Sequence, residues 1–325
     1  MSTSQHTVIS EVSFDGMRAW RMTSDSGATA LVAARGATLI SWQPYPGVDV
    51  IDGHINAQEL STADASRSIV AVPFIGRIKH GEYRFNGADY HITGLDGKQA
   101  LHGLVFDQDF VAEDVTDTLT LRCDFPGCEG YPWAFTVRVT FSLNTGADEV
   151  EHLSVTIDAT NKDKVTIPLA IGWHPYVKFP GHKTISNYSL TIPARTRIVY
   201  GPDLVPLMGE YAYSGVKAPV EIEYLGQQEM DESYRGLIPN DEGVVVTTVS
   251  DVSSNSRIEL TQEPAESPVV HLFTGDTINR NRRGALALEP LSHLPDAFNR
   301  ADSVASVALE PGHTRSLTAT LTYLR

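Results

Sequence analysis

A single carboxylate follows a short apolar run near the C-terminal end of the chain. The segment Ala285-Leu286-Ala287-Leu288-Glu289-Pro290 has no polar side chain before Glu289, and Pro290 lacks the backbone N–H that would continue a hydrogen-bonded ladder. We expect a strand that ends at Glu289. A carboxylate placed by an apolar strand at the mouth of a sheet is poorly solvated, which raises its pKa and makes it a usable base near neutral pH. On this local pattern alone, a solvated strand-end acid is the commoner interpretation.

Two histidines lie where the chain turns or a strand stops. His102 precedes a glycine, at which the backbone can turn tightly and a ligand can approach. His174 follows an alternating apolar run over residues 165–171, which predicts a buried strand that ends at the proline after His174. Its neighbours Trp173 and Tyr176 would suit a sugar site, where flat rings pack against C–H groups, and equally a plain core. For each histidine, a structural role stays as open as a catalytic one.

Two further charged residues are candidates for contacting a ligand. Arg77 follows the apolar segment Val72-Pro73-Phe74-Ile75-Gly76, so its guanidinium can reach a cavity as a fixed fork of donors or pair with an internal carboxylate. Asp231 lies in the polar segment Glu229-Met230-Asp231-Glu232-Ser233-Tyr234, which by itself predicts an exposed loop and a surface residue.

Period-two alternation of apolar and polar residues dominates the chain and predicts strands with one buried face. It is clearest in the segments 119–125, 135–143, 153–159 and 317–323. Helical patterning is scarce: residues 56–66 predict a short helix, and residues 295–306 a turn or two. Residues 201–236 are the least regular and predict long loops. Many strands without a linker between them indicate one all-β domain over residues 1–325, a sandwich or an open barrel.

Composition excludes several classes of partner. The formal net charge of −15 argues against nucleic acid and anionic membrane surfaces, because both require clustered Lys and Arg. The N-terminus lacks the pattern of a secretory signal and no stretch is apolar enough to cross a membrane, so we expect a cytoplasmic protein. Cys123 and Cys128 have no further ligands at zinc spacing, and no metal site is predicted. Two free thiols are favoured, although one disulfide stays possible.

Several motifs occur together, in order, between residues 30 and 325, and their joint arrangement resembles the aldose 1-epimerase (mutarotase) family. The segments that carry the resemblance are Ile75-Gly76-Arg77-Ile78 with the hairpin Gly81-Glu82-Tyr83-Arg84-Phe85-Asn86-Gly87, Ala100-Leu101-His102-Gly103, Gly130-Tyr131-Pro132-Trp133, Trp173-His174-Pro175-Tyr176, Leu288-Glu289-Pro290 with Leu294-Pro295-Asp296-Ala297-Phe298-Asn299, and Pro311-Gly312-His313-Thr314. Two departures affect the sugar more than the chemistry. The family commonly has His-Gly-Gly where this chain has His102-Gly103-Leu104, and Tyr-Phe-Asn where Pro175-Tyr176-Val177 follow the second histidine.

The resemblance implies a large single-domain β-sandwich of the galactose-mutarotase type, a supersandwich. It implies Glu289 as catalytic base, His174 as catalytic acid, and Arg77, His102 and Asp231 as substrate-binding residues, with Asp231 in a loop that matches the family more loosely. The reaction would interconvert the α and β anomers of an aldohexose such as galactose or glucose. It needs no cofactor and no metal, and the expected partner is a small-molecule sugar, bound by a monomer or a homodimer.

Three other functions compete with this interpretation. A glycosidase would need two facing acids, and no second acid has the apolar setting of Glu289. A non-catalytic sugar-binding protein would be expected to have lost a histidine or the glutamate. An epimerase for a sugar phosphate or another anionic sugar is the strongest alternative, with Lys79 and Arg84 as possible anion contacts. The basic cluster Arg280, Arg282 and Arg283 is expected to cap a turn instead.

Overall fold

The computed structural model describes residues 6–93, 100–146 and 150–325, and these residues are almost entirely β-structure. The strands in chain order are β1 Thr7–Phe14, β2 Met17–Ser24, β3 Thr29–Ala33, β4 Leu39–Gln43, β5 Val70–Ala71, β6 Arg77–Ile78, β7 Glu82–Phe85, β8 Ala88–His91, β9 Ala100–Leu101, β10 Val111–Val115, β11 Leu119–Phe125, β12 Phe135–Thr145, β13 Glu151–Asn161, β14 Ile167–Pro168, β15 Gly172–Trp173, β16 Tyr176–Val177, β17 Tyr188–Ile192, β18 Ala194–Ile198, β19 Tyr213–Gly215, β20 Val220–Ile222, β21 Asp231–Leu237, β22 Val245–Asp251, β23 Arg257–Gln262, β24 Val269–Phe273, β25 Leu286–Leu291, β26 Ala308–Leu309 and β27 Thr314–Leu324. The helices are α1 Ala57–Ser61 and the short 3₁₀ segments Asp64–Ser66, Lys79–Gly81, Ile185–Asn187 and Gly209–Ala212.

The largest sheet has nine strands in the order β10-β11-β12-β13-β27-β23-β22-β17-β20, and every pair in it is antiparallel. The four most clearly alternating segments of the sequence form β11, β12, β13 and β27, which are neighbours in this sheet. Their prediction is confirmed, with β11 at the predicted bounds and the other three longer. Alternation identified them because each has one face fully buried and one face partly solvated.

A second sheet has eight strands and carries residues that could take part in catalysis. Its order is β19-β18-β21-β24-β25-β15-β5, with β16 pairing β25 beside β15. Apolar residues of this sheet, among them Trp173, Leu272 and Leu288, share one core cluster with Val139 and Val155 of the nine-stranded sheet. The two sheets therefore pack face to face, and the predicted all-β sandwich is confirmed.

Several local expectations need correction. Only β14 and β15 are strands within residues 165–174, and Val165 is exposed, because the chain here pairs with three different partners in short steps. Residues 201–236 are not simply loops: they contain β19, β20 and most of β21, whose strands are short and alternate irregularly.

The two helical predictions have different outcomes. The prediction over residues 56–66 is confirmed by α1, which Asn56 caps by accepting the Glu59 N–H, and by the 3₁₀ segment that follows. Residues 295–306 form successive turns without a helix. Among the described residues, no helix has the length and apolarity needed to cross a membrane.

Candidate active site

Glu289 lies within a central strand of the eight-stranded sheet, not at a strand end as the sequence suggested. It is the fourth residue of β25, which continues through Pro290 to Leu291. The N–H groups of residues 288 and 292 donate to Pro175 and Ile171 on the β15–β16 side of β25. By alternation the nitrogen of Pro290 faces the same side, at the gap between β15 and β16. The missing donor therefore costs no ladder bond, and the carboxylate is buried within the sheet, not solvated.

A histidine approaches Glu289 from each neighbouring strand. His174 occupies the gap between β15 and β16, and its Nε2 lies 3.2 Å from Glu289 Oε1. His271 is the cross-strand partner of Glu289 on β24, and its Nε2 lies 3.8 Å from the same oxygen. The side chains of Glu289 and His174 are only 3% and 7% exposed, so a buried acid–base pair forms the floor of the site.

The other predicted residues surround this pair. Arg77 begins β6, and His102 follows β9, the strand paired with β6. The ring of His102 packs edge-on against His174, with centroids 4.9 Å apart. Asp231 is the first residue of β21, not part of an exposed loop, and its Oδ1 lies 3.1 Å from His271 Nε2.

Two glycines fix the backbone beside Arg77 and His102. Gly76 has φ +58° and a Cβ there would lie 2.7 Å from a side-chain carbon of Pro295; Gly103 has φ +84° and a Cβ would lie 2.3 Å from the carbonyl oxygen of Val72. Both positions combine left-handed backbone with close approach of another segment, which only glycine tolerates. The motif glycines thus hold the two ligand-facing side chains at the wall of the site.

All five predicted residues line one cavity of about 470 Å³. The volume lies within the range typical of small-molecule sites and exceeds what one hexose ring needs. The Arg77 guanidinium makes no hydrogen bond or ion pair with any residue that the structure describes. It is therefore available to a ligand.

Sequence reasoning missed His271 and the two hydroxyls behind it. The Ser233 Oγ lies 2.9 Å from His271 Nδ1, and the Tyr200 Oη lies 2.6 Å from Ser233 Oγ. Because these hydrogen bonds engage Nδ1 of His271, its Nε2 is directed at Asp231 and Glu289. The available signal was a lone histidine in the apolar strand 269–273, but its meaning depends on the register that places it opposite Glu289.

Burial dominates the electrostatics of the central pair. It raises the pKa of Glu289 to about 8, with Asp231 adding to the rise and His271 opposing it. Burial also lowers the pKa of His174 to about 3, and the charge of His271 adds to the effect. At neutral pH the pair therefore holds one proton, on Glu289, and both groups are uncharged.

The pKa values of His271 and Asp231 shift in the opposite directions, each toward the charged form. Burial disfavours the charged form of His271, but the charge of Glu289 when it is ionised, together with the hydrogen bond and charge of Asp231, outweighs burial and raises the pKa of His271. Burial likewise acts against the Asp231 carboxylate, yet the hydrogen bond and charge of His271 leave its pKa lowered. The cavity thus contains the Glu289–His174 pair, which can exchange a proton, and beside it the Asp231–His271 pair, whose pKa shifts favour the charged forms and whose polar atoms can orient hydroxyls.

His102, His174 and Glu289 are the residues that could hold a metal ion, because one donor atom from each lies within 4.8 Å of the others. Two imidazoles and a carboxylate match the donors that zinc prefers. That no metal takes part in the reaction stays a prediction from the sequence.

The Glu289 pKa predicts how stability changes with pH. Burial raises the pKa of Glu289 from its ordinary value of 4.5 to about 8 in the folded protein, so the folded state binds more protons between these values and loses stability as pH rises through them. Glu289→Gln removes the buried ionisable group. We expect it to stabilise the protein by on the order of 4 kcal/mol at pH 8.5 and by much less at pH 5.5.

Urea unfolding of the wild type, Glu289→Gln and the control Glu259→Gln at pH 5.5, 7 and 8.5 would test this expectation. Glu259 is a strand glutamate paired with Arg257 outside the cavity. A stability difference between wild type and Glu289→Gln that is equal at all three pH values would contradict the buried, protonated state of Glu289.

The sequence of the chain matches known proteins over most of its length. Residues 18–322 match the sequence model of the family described as aldose 1-epimerase. The chain is 25% identical over 296 residues to the uncharacterized protein YihR of Escherichia coli (strain K12), covering 90% of this chain and 89% of that protein.

Solved structures show the same fold. The GalM/aldose epimerase homologue from C. elegans superimposes with a TM-score of 0.78 at 18% identity, covering 98% of this chain and 99% of the other. Galactose 1-epimerase from Lactobacillus acidophilus NCFM gives 0.76 at 15% identity, covering 98% of each chain. Together with the family match over nearly the whole length, the shared fold establishes that this chain belongs to the aldose 1-epimerase family, whose members are epimerase-type enzymes.

Proposed function

We propose that this protein interconverts the α and β anomers of an aldohexose, such as galactose or glucose, in the cavity above Glu289. The observation that carries the proposal is the buried contact of 3.2 Å between His174 Nε2 and Glu289 Oε1 at the floor of that cavity. A neutral pair that holds one proton supplies one acceptor and one donor, which is the number that ring opening requires.

The reaction consists of two balanced proton transfers. Glu289, as carboxylate, accepts the proton of the anomeric O1–H while the C1–O5 bond breaks, and His174 as imidazolium donates a proton to O5. The open-chain aldehyde then rotates about C1–C2 and recloses on the opposite face with the roles reversed. The pair gains one proton from O1–H and gives another to O5, so the protein holds the same number of protons before and after and no cofactor is consumed.

The proton lies on a different residue of the Glu289–His174 pair in the reactive state than in the resting state. At rest the proton lies on Glu289, and the short contact with His174 allows it to move. A sugar hydroxyl that donates to Glu289 and the positive charge of His271 stabilise the carboxylate form. Arg77, His102 and the Asp231–His271 pair would bind ring hydroxyls and so fix the reacting geometry.

The charge of the cavity wall favours a neutral sugar. Among its described residues, Arg77 is the single Arg or Lys, whereas Glu229, Asp231, Asp276 and Glu289 are acidic. The two cations named as possible anion contacts are engaged elsewhere: Lys79 pairs with Asp203 at 3.2 Å and Arg84 with Asp89 at 3.0 Å.

The basic cluster near residue 280 also lies outside the cavity wall. Arg280 pairs with Asp52 at 3.2 Å and Arg283 with Asp276 at 2.7 Å, which fits the expected structural role for these two.

One observation keeps a sugar phosphate or another anionic sugar as second candidate. The unpaired Arg77 fork faces the cavity, and a bidentate contact from Arg to an oxyanion is strong. A panel of fresh anomers of galactose, glucose and their 6-phosphates, followed by NMR exchange, tests both candidates. We expect the neutral hexoses to give the higher kcat/KM. A clear preference for the phosphates would transfer the proposal to the anionic class, and no exchange with any sugar would refute it.

The proton count predicts the pH dependence of the reaction. The pair is active while it holds one proton and loses that proton as pH rises through about 8, the pKa of Glu289. We therefore expect kcat/KM, after subtraction of buffer and hydroxide catalysis, to be flat between pH 6 and 7 and to fall about tenfold per unit well above 8. A rate that keeps rising through pH 9 would show instead that deprotonated Glu289 acts without a protonated partner.

A further inference from the structure

A second cavity, of about 660 Å³, lies apart from the sugar site and shares no lining residue with it in the part of the chain that the structure describes. Its wall combines Arg235 of β21, the residues 292–294 that follow β25, the turn at residues 303–306, and residues 314–316 at the start of β27. Nothing in the proposed epimerisation uses it.

Arg315 is the most unusual residue of this wall. Burial lowers its pKa, and no carboxylate of the described residues forms an ion pair with it. Its Nε is buried without a hydrogen-bond partner among those residues, and its Nη1 lies 3.2 Å from a histidine nitrogen, His293 Nε2. A half-buried guanidinium without a counter-charge is costly unless something else neutralises it.

A second guanidinium shares the same cavity. Arg235 donates to the Tyr213 hydroxyl at 3.1 Å and makes no ion pair with any described residue. Of the two acids in the wall, Asp302 pairs with Arg300 at 2.8 Å, whereas Glu266 accepts the neutral Thr318 N–H at 2.8 Å and keeps its charge. Two cations therefore face one space, and no carboxylate of the described residues forms an ion pair with either of them.

His293 lies between hydroxyls and both guanidinium groups. Its Nδ1 is 2.9 Å from Ser292 Oγ and its Nε2 3.2 Å from Ser306 Oγ. Burial lowers its pKa to about 3, and the charges of Arg315 and Arg235 add to the effect. An anion in the cavity would reverse the contribution of those charges and give His293 a reason to be protonated.

We propose that this cavity binds a small tetrahedral oxyanion, either free phosphate or sulfate or the phosphate group of a small metabolite, between Arg235 and Arg315. Planar guanidinium groups bind such oxyanions by paired, charge-assisted hydrogen bonds. His293 adds a third positive charge when protonated, with its ring nitrogens on the Ser292 and Ser306 hydroxyls. The negative net charge of the protein gives no general attraction for anions, so binding here would depend on these three side chains.

Isothermal titration of the full-length protein with sodium phosphate and sodium sulfate, at constant ionic strength set with chloride, would test the proposal. We expect binding that Arg315→Gln and Arg235→Gln each weaken by about tenfold or more. Arg77→Gln, which removes the free guanidinium of the sugar cavity, and Arg257→Gln on the surface should leave it unchanged. A parallel titration with glycerol phosphate distinguishes the two kinds of ligand. Tighter binding of glycerol phosphate than of phosphate indicates the phosphate group of a metabolite, and weaker binding indicates the free ion.

The ring signals of His293, identified by their absence in His293→Gln, provide a second measurement. Sulfate stays doubly charged between pH 5 and 8, so we expect it to move the His293 titration to higher pH in the wild type but not in Arg315→Gln. The charged groups that face His293 in this cavity are Arg235, Arg315, Glu266 and Asp302. The proposal fails if neither phosphate nor sulfate binds more tightly than chloride, or if Arg77→Gln alone abolishes binding. It also fails if sulfate does not shift the His293 titration.

Discussion

Glu289→Gln is expected to remove nearly all enzymatic acceleration of anomer exchange. Gln matches the size of Glu and can donate its amide N–H to His174 Nε2, but it cannot accept the O1–H proton of the sugar. A positioned general base contributes roughly 10²–10⁴-fold, and we expect a loss of that size in kcat with little change in KM. Polarimetry on freshly dissolved α-anomers, with Glu259→Gln as control, measures it.

The design separates loss of chemistry from loss of structure. Because Glu289→Gln is expected to be more stable than the wild type above neutral pH, unfolding cannot explain an inactive variant. Exchange at the wild-type rate would refute Glu289 as the base. A wild type that binds sugar without accelerating exchange would instead identify a non-catalytic carbohydrate-binding protein on the same fold.

The sequence predicts best those strands whose position is determined by their own residues and not by distant partners. The strands β11, β12, β13 and β27 are long and have one buried face, so alternation alone locates them. The three strands within residues 201–236 are not visible in the sequence. The strands β19 and β20 lie at sheet edges and are only partly buried, and β21 is an interior strand whose burial does not alternate regularly.

Glu289 shows both what the sequence reveals and where it misleads. The apolar run before it correctly indicates a buried strand and a poorly solvated carboxylate. Pro290 is read as a strand end because proline normally breaks a ladder. The strand continues because its neighbour has a gap at that position, and a gap in another strand leaves no local trace.

Which residues meet in the site depends on long-range strand pairing even more than the positions of the strands do. Five residues separated by more than 200 positions line one cavity, and the order of motifs, not any local pattern, brings them together in the prediction. His271 belongs to the same cavity but lies in no recognised motif. Its significance arises only from the antiparallel pairing that sets it opposite Glu289 and beside Asp231.

His174→Ala is expected to lower kcat by roughly 10²–10⁴-fold, because the donor to O5 is lost while the sugar-binding residues remain. The substitution leaves a space the size of an imidazole ring beside Glu289 and Tyr176, whose ring stacks on His174 with centroids 5.2 Å apart. Tens of millimolar imidazole should enter this space and restore part of the rate. His174→Gln fills the space with an amide that cannot exchange the proton and should not be rescued.

Rescue distinguishes an acid from a structural histidine, since a residue that only supports the fold would not be replaced by a small molecule during turnover. Free imidazole also catalyses mutarotation in solution, so its rate alone and its rate with Glu289→Gln must be subtracted. His152→Ala, on β13 and outside the cavity, provides the matched control. Full activity in His174→Ala would refute the assignment, as would an imidazole effect identical in His174→Ala and His174→Gln. Saturable rescue confined to His174→Ala would place the missing proton at the position that faces O5.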